Sequence, residues 1–363
     1  MAMADVFARR LEALRKKLAV AEADGFVSAA PPDNEYLTGF DGTTSVVVVT
    51  AQEALFLCDS RYTEQAGEQV QGYAVEEVKG GLMKAAGERL EGMGVETVAF
   101  EPACTTVAQV KAVEEVFHGA TRPVADMVAS LRMVKSAGEL ARIEAASALA
   151  EGVLADLLDT LTLGVTEREL AARFEYEFKT RGARGASFDT IVLFGPRSTL
   201  PHGQPGDTPL GPGHAVLLDF GCRLDGYCSD LTRTYVYDTM PGAWFEEVYE
   251  VTLAAQRAGL EAIRAGVACR DVDQAARTVI AEAGHGEHFG HGLGHGVGLE
   301  VHEGPRLSFE SDAVLEAGMV VTVEPGVYLP GRGGVRIEDL VVVTEKGCRL
   351  LSHSPKELKV LKG

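Results

Sequence analysis

With 363 residues, 46% of them hydrophobic, and a mean hydropathy near zero, the chain is long and apolar enough for two cores and is not a disordered polypeptide. Its formal net charge of -19, from 53 acidic against 34 basic side chains, argues against nucleic acid, which needs a basic face. No apolar run approaches the roughly 20 residues that cross a bilayer, so no membrane partner is expected.

The N-terminal MAMADVFARRLEALRKKL reads as an amphipathic helix over residues 5–22, with Phe7, Leu11, Leu14 and Leu18 on one stripe. It has neither the apolar centre nor the small-residue cleavage site of a signal peptide, so a cytoplasmic protein is expected, with its six dispersed cysteines as free thiols. Strands follow at Gly25–Ala29, Ser45–Thr50 and Ala54–Cys58, then a helix at Tyr62–Val70 and a strand at Ala74–Val78. Leu82–Leu90 reads as a helix, Thr97–Glu101 as a strand and Val107–Phe117 as a helix. Together they predict an α/β domain with a mixed sheet over residues 1–127.

From residue 128 the texture changes. Leu131–Leu161 is one long helical stretch with room for a single break, and Thr166–Arg181 is a second helix whose Thr166 and Glu169 form a capping box. A Gly- and Pro-rich segment, Gly195–Gly213, leads into the hairpin-like Ala215–Tyr237. Helices are predicted at Trp244–Gly266 and Arg270–Ala283, then a Gly/His-rich segment, Gly284–Glu303, and a second hairpin at Met319–Val343. Helix pair and hairpin thus occur twice in residues 131–363, which suggests an internal pseudo-repeat within a second domain over residues 128–363.

Both hairpins carry acids where a plain hairpin would not. A turn centred on Leu224 and Asp225 sets Asp219 opposite Asp230, and a turn centred on Gly331 sets Glu324 opposite Glu338. Like charges directly opposite on a strand pair are destabilising, so something positive is needed between them. Cys222 and Cys228 flank the first turn but are spaced too loosely for a zinc site of their own. The segment GHGLGHGVGLEVHE adds His291, His295 and His302, with glycines that allow close backbone approach. Four carboxylates and one imidazole suit Mn²⁺, Co²⁺, Zn²⁺ or Fe²⁺, and the excess of negative charge favours two ions sharing bridging carboxylates, about 3.5–4 Å apart.

The ordered set Asp219, Asp230, His295, Glu324 and Glu338, within LLDFG…SDLTRT, HGLGHGVGLEVHE, VVTVEPGVY and GVRIED, resembles the pita-bread metallopeptidases: prolidase, aminopeptidase P and methionine aminopeptidase. The N-terminal half, with YLTGF and DSRYTEQA, is similar to the creatinase-like domain of the prolidase branch, which methionine aminopeptidases lack. The resemblance covers the whole chain. It implies an α+β pita-bread domain with a pseudo-two-fold repeat, preceded by the α/β domain.

It also implies roles. Asp219 would hold one metal, His295 and Glu324 the other, with Asp230 and Glu338 bridging. His295 is preferred to His291 because it lies seven residues before His302, the family spacing. His302 would bond the substrate near the scissile carbonyl, His202 would stand at the mouth of the site, His291 on its wall, and Arg336 would hold the site's charges. The nucleophile would be a hydroxide bridging the metals, and Glu324 the proton shuttle. Proline's imide nitrogen carries no N–H, which general peptidases handle poorly, so a dedicated Xaa-Pro dipeptidase is expected. The alternative is an aminopeptidase P acting on Xaa-Pro-Yaa; a metal-free binding module on the same fold is a third reading. A dipeptidase must read a free carboxylate, for which Arg197 and Arg332 are candidates, though either fits a solvated surface arginine equally. The bulky IVLFG at Ile191–Gly195 would narrow a pocket. Manganese and a homodimer complete the expectation, the dimer because two-fold assemblies are commonest.

Overall fold

The structure, a computed structural model, describes residues 3–362. The chain divides into two compact units, Met1–Arg132 and Met133–Gly363.

The first unit is built on a six-stranded sheet in the order Ala74–Glu77, Ala54–Cys58, Val46–Thr50, Gly25–Ser28, Thr97–Phe100, Ala120–Pro123. Gly25–Ser28 pairs antiparallel with Val46–Thr50 and parallel with Thr97–Phe100, so the sheet is mixed as expected. Val46–Thr50, sequence VVVVT, is buried at every position, the pattern of a strand covered on both faces. Val27, Val48, Leu57 and Val98 meet Leu90 and Val113 from the helices Leu82–Gly92 and Val107–Glu114. Leu11, Leu14 and Leu18 are buried, as the stripe on the first helix predicts.

Two elements of this unit escape the sequence reading. The helix Pro31–Thr38 starts with Pro at its first turn and ends at Gly39 in the left-handed region. It buries Asp33, Asn34, Tyr36, Leu37 and Thr38, nearly consecutive and mostly polar, so it offers no apolar period. The edge strand Ala120–Pro123 is largely exposed and contains Arg-Pro, and it exists because it pairs with Thr97–Phe100.

The long helical stretch breaks once, between the helix Ala129–Met133, which ends the first unit, and the helix Ala137–Asp159 of the second. There Val134 bridges Met319 and the Lys135 N–H donates to Gly318 O, so the backbone bonds to another segment. Ser136 and Glu139 then form a capping box, and Thr166 and Glu169 form the expected one at the head of Glu167–Thr180. These two helices cover a four-stranded sheet through Phe174, Phe178, Val216, Leu218 and Tyr235. The helices Ala243–Ala262 and Cys269–Glu282 cover a five-stranded sheet through Phe245, Val272, Ile280, Val321 and Val341. Helix pair on hairpin sheet thus occurs twice.

The first hairpin corrects the predicted register. Asp225 (φ 48°) and Gly226 (φ 86°) both sit in the left-handed region, so the turn is a two-residue loop between Leu224 and Tyr227, one residue later than expected. Asp219 therefore pairs with Thr232, not Asp230. Moving the turn by one residue moves the partner by two, which preserves the face. The second hairpin keeps its expected register: Val323 pairs with Asp339 and Gly326 with Arg336, bracketing Glu324 and Glu338.

Candidate metal centre

Each acid sits where a strand is interrupted. Asp219 is next to last in Ala215–Phe220, and Asp230 immediately precedes Leu231–Tyr237. Glu324 lies between Val320–Val323 and Gly326–Leu329, and Glu338 between Gly333–Arg336 and Asp339–Val343. Oxygens of Asp219, Asp230 and Glu338 lie within 4.8 Å of one another. His295, in Gly294–Gly296, brings Nε2 to 3.3 Å from Glu324 Oε1 and 3.5 Å from Asp230 Oδ2. All five residues of the ordered set thus converge.

The flanking glycines allow this. A Cβ on Gly294 would fall 2.1 Å from Thr322 O, and one on Gly296 2.0 Å from Gly304 O, so no larger residue fits beside His295 without moving the backbone. His295 Nδ1 lies 3.1 Å from Gly296 O, which can only accept, so Nδ1 carries the proton. With Nδ1 so held, Nε2 faces the acids: protonated it donates to Glu324, and deprotonated it turns a lone pair toward them.

The cluster is electrostatically incomplete. Burial, reinforced by neighbouring acids, pushes Asp230 and Glu338 well above the usual carboxylate range. Asp219 is also raised by burial, against the opposing pull of Arg336. For Glu324 burial is outweighed by its bond to His295, and its pKa falls to about 2; His295 is correspondingly raised despite its burial. Asp219 Oδ1 and Glu338 Oε1 are buried and accept no hydrogen bond among the described residues. Orphaned carboxylate oxygens in an acidic cluster are costly unless a cation binds them. The oxygen-rich set with one imidazole fits a divalent metal on that ground.

Around the cluster runs a cleft of about 770 Å³. Its lining includes His202, His291, His302 and Arg336, together with the apolar Phe188, Ile191 and Phe309. The His302 ring packs edge-on to His295 with centroids 4.3 Å apart, and burial lowers its pKa. His291 donates from Nδ1 to Gly292 O at 2.8 Å, so its Nε2 accepts from the Tyr328 hydroxyl at 3.0 Å. Arg336 donates to that hydroxyl at 2.8 Å, to Thr232 Oγ1 at 3.1 Å and to Asp219 Oδ2 at 2.5 Å.

The two candidate carboxylate readers lie elsewhere. Arg197 Nε bonds Glu167, fully buried, and its Nη2 bonds Gln204 O. Glu167 also accepts from Phe194 N and Gly206 N, so Arg197 belongs to a knot that ties down the segment carrying His202. Arg332 lines a separate cavity. The cation that sequence reasoning missed is Arg306, exposed in the cleft wall and paired across the strands with His295. Tyr328 was missed too. No signal in the sequence marks either, because cross-strand register and the Arg336 contact place them.

Residues 141–345 match the model of metallopeptidase family M24, and residues 10–134 match the Creatinase/Prolidase N-terminal domain. The chain belongs to metallopeptidase family M24, whose members use divalent metal. An uncharacterized peptidase of Bacillus subtilis, YqhT, is 40% identical over 97% of this chain and 100% of its own length. Among solved structures, the Xaa-Pro dipeptidase from Bacillus anthracis superposes with a TM-score of 0.94 at 38% identity, covering 98% of this chain and 100% of its own. The X-Pro aminopeptidase from Thermotoga maritima gives 0.87 at 36%, covering 95% and 99%.

Proposed function

We propose that this protein is a Xaa-Pro dipeptidase. The observation that carries the reading is the buried convergence of four carboxylates and His295 in a cleft whose exposed cation is Arg306. Asp219 would hold one ion, His295 and Glu324 the second, and Asp230 and Glu338 both. Bound divalent metal would supply an acidified water and polarise the peptide carbonyl. Manganese suits a mainly carboxylate set best. A homodimer in the cytoplasm completes the reading.

The chain's own residues do the rest. Glu324 accepts a hydrogen bond from Thr322 Oγ1 at 3.1 Å; it takes the proton of the attacking water and passes it to the leaving proline nitrogen. His302, at the cleft wall beside His295, donates its N–H to the developing oxyanion. His202 closes the mouth of the cleft and His291, steered by Tyr328, forms its wall. Phe188, Ile191 and Phe309 provide apolar surface for the proline ring. Arg336 is buried and engaged by its bonds to Asp219, Thr232, Tyr328 and Pro201 O, so the exposed Arg306 pairs with the free carboxylate of a dipeptide.

Elemental analysis of the purified protein should find Mn, Co, Zn or Fe, and the loaded enzyme should cleave Ala-Pro faster than Ala-Pro-Ala. Preference for the tripeptide would select the aminopeptidase reading, which the likeness to the Thermotoga maritima structure supports. Absence of metal, with no ion restoring hydrolysis of either peptide, would leave the binding-module reading.

A further inference from the structure

A second cavity of about 290 Å³ lies in the same unit, and the hydrolytic reading gives it no role. Its lining joins Trp244, Arg332 and His214 to Pro196, Pro241 and Ala215, and includes no acidic residue. That is notable in a chain with 53 acids. Arg332, exposed at the tip of the second hairpin, makes no side-chain hydrogen bond or ion pair among the described residues. His214 accepts the Gly211 N–H at Nδ1 (3.2 Å), so in the neutral ring, which burial favours, Nε2 carries the proton. Gly195, at φ 54°, and Gly211 leave that Nε2 edge uncrowded; a Cβ on either would stand 3.4 Å from it. One cation, one imidazole, an indole and two proline rings line a space of small-molecule size.

We propose that this cavity binds a compact carboxylate with a small apolar ring. Arg332 and the His214 Nε2–H take the carboxylate, and the ring lies against Trp244. Cyclopentanecarboxylate has this form; free proline has the same carboxylate and ring size with a protonated ring nitrogen, and its choice as a second probe rests on the activity proposed above. The cavity is linked to the active cleft by one bond: its wall residues Gly195 and Pro196 open the turn whose Ser198 accepts the Gly334 N–H, two residues before Arg336.

Trp244 is the chain's single tryptophan, so its emission reads occupancy directly. Titration of the full chain with cyclopentanecarboxylate and with proline should give a saturable change, and pyrrolidine, which lacks the carboxylate, none. The midpoint should weaken at least about tenfold in Arg332→Gln, whose exposed turn position spares the fold, and similarly in His214→Gln. The response should survive in Asp230→Ala, which separates this cavity from the metal cleft. A flat titration, equal midpoints in Arg332→Gln, an equal response to pyrrolidine, or loss of the response in Asp230→Ala would each overturn the proposal.

Discussion

Arg336 and Asp219, 117 positions apart in sequence, meet through a 2.5 Å hydrogen bond from Nη2 to Oδ2, both side chains largely buried. The same guanidinium reaches Thr232 and Tyr328, and Tyr328 in turn holds His291. One arginine therefore fixes an acid of the metal cluster and a histidine of the cleft wall.

Replacing it should expose that dependence. Arg336→Met leaves buried carboxylates uncompensated, at a cost of about 3–5 kcal/mol in chemical denaturation. Arg336→Lys keeps the charge but cannot span three acceptors with one ammonium, so it should recover stability only in part and turnover poorly. Equal turnover in the lysine variant would reject the positioning role.

Asp230→Ala removes the acid placed between His295 and the Asp219–Glu338 pair. Metal content measured after dialysis should fall, and hydrolysis should be abolished. Retained activity with full metal content would overturn the bridging assignment.

Two arginines separate substrate reading from loop anchoring. Arg306→Ala should raise KM for Ala-Pro by about ten- to a hundredfold, the loss of one charge-assisted bond, while leaving Ala-Pro-amide nearly unchanged. Arg197→Ala loosens the Glu167 knot behind His202 and should slow both substrates alike. A selective loss on Ala-Pro in Arg197→Ala would reverse the two roles.

A pH dependence follows in the first unit. Burial, aided by Asp33, raises the Glu101 pKa above its ordinary value of 4.5. The folded state then holds the proton more tightly than the unfolded chain, so this contribution is complete below about that value and is lost as pH rises through the folded pKa. Glu101→Gln keeps an acceptor for the Val128 and Ala129 N–H groups without the charge. It should raise the melting temperature at neutral pH and flatten the decline of stability above pH 4.5. A variant less stable at neutral pH than the parent would contradict this.

Much of the architecture was legible in one dimension. Capping boxes at Thr166 and, once the break is known, Ser136 are local bonds between residues three apart. Period-two and period-3.6 patterns gave most helices and strands, and Pro31–Thr38 escaped because burial there follows no period. The centre of the second hairpin was correct because its glycines mark the turn; in the first, a one-residue choice between turn types displaced Asp219 from Asp230 to Thr232.

By itself the sequence determined which residue types carry the chemistry: four acids and a histidine, in order, each beside a β-rich run or a glycine. That information is covalent and local. Only the tertiary structure decided which groups share a space, because distances between strands depend on register and packing. It brought Arg306 beside His295, spent Arg336 on Asp219, bound Arg197 to Glu167, and set Arg332 and Trp244 around one cavity.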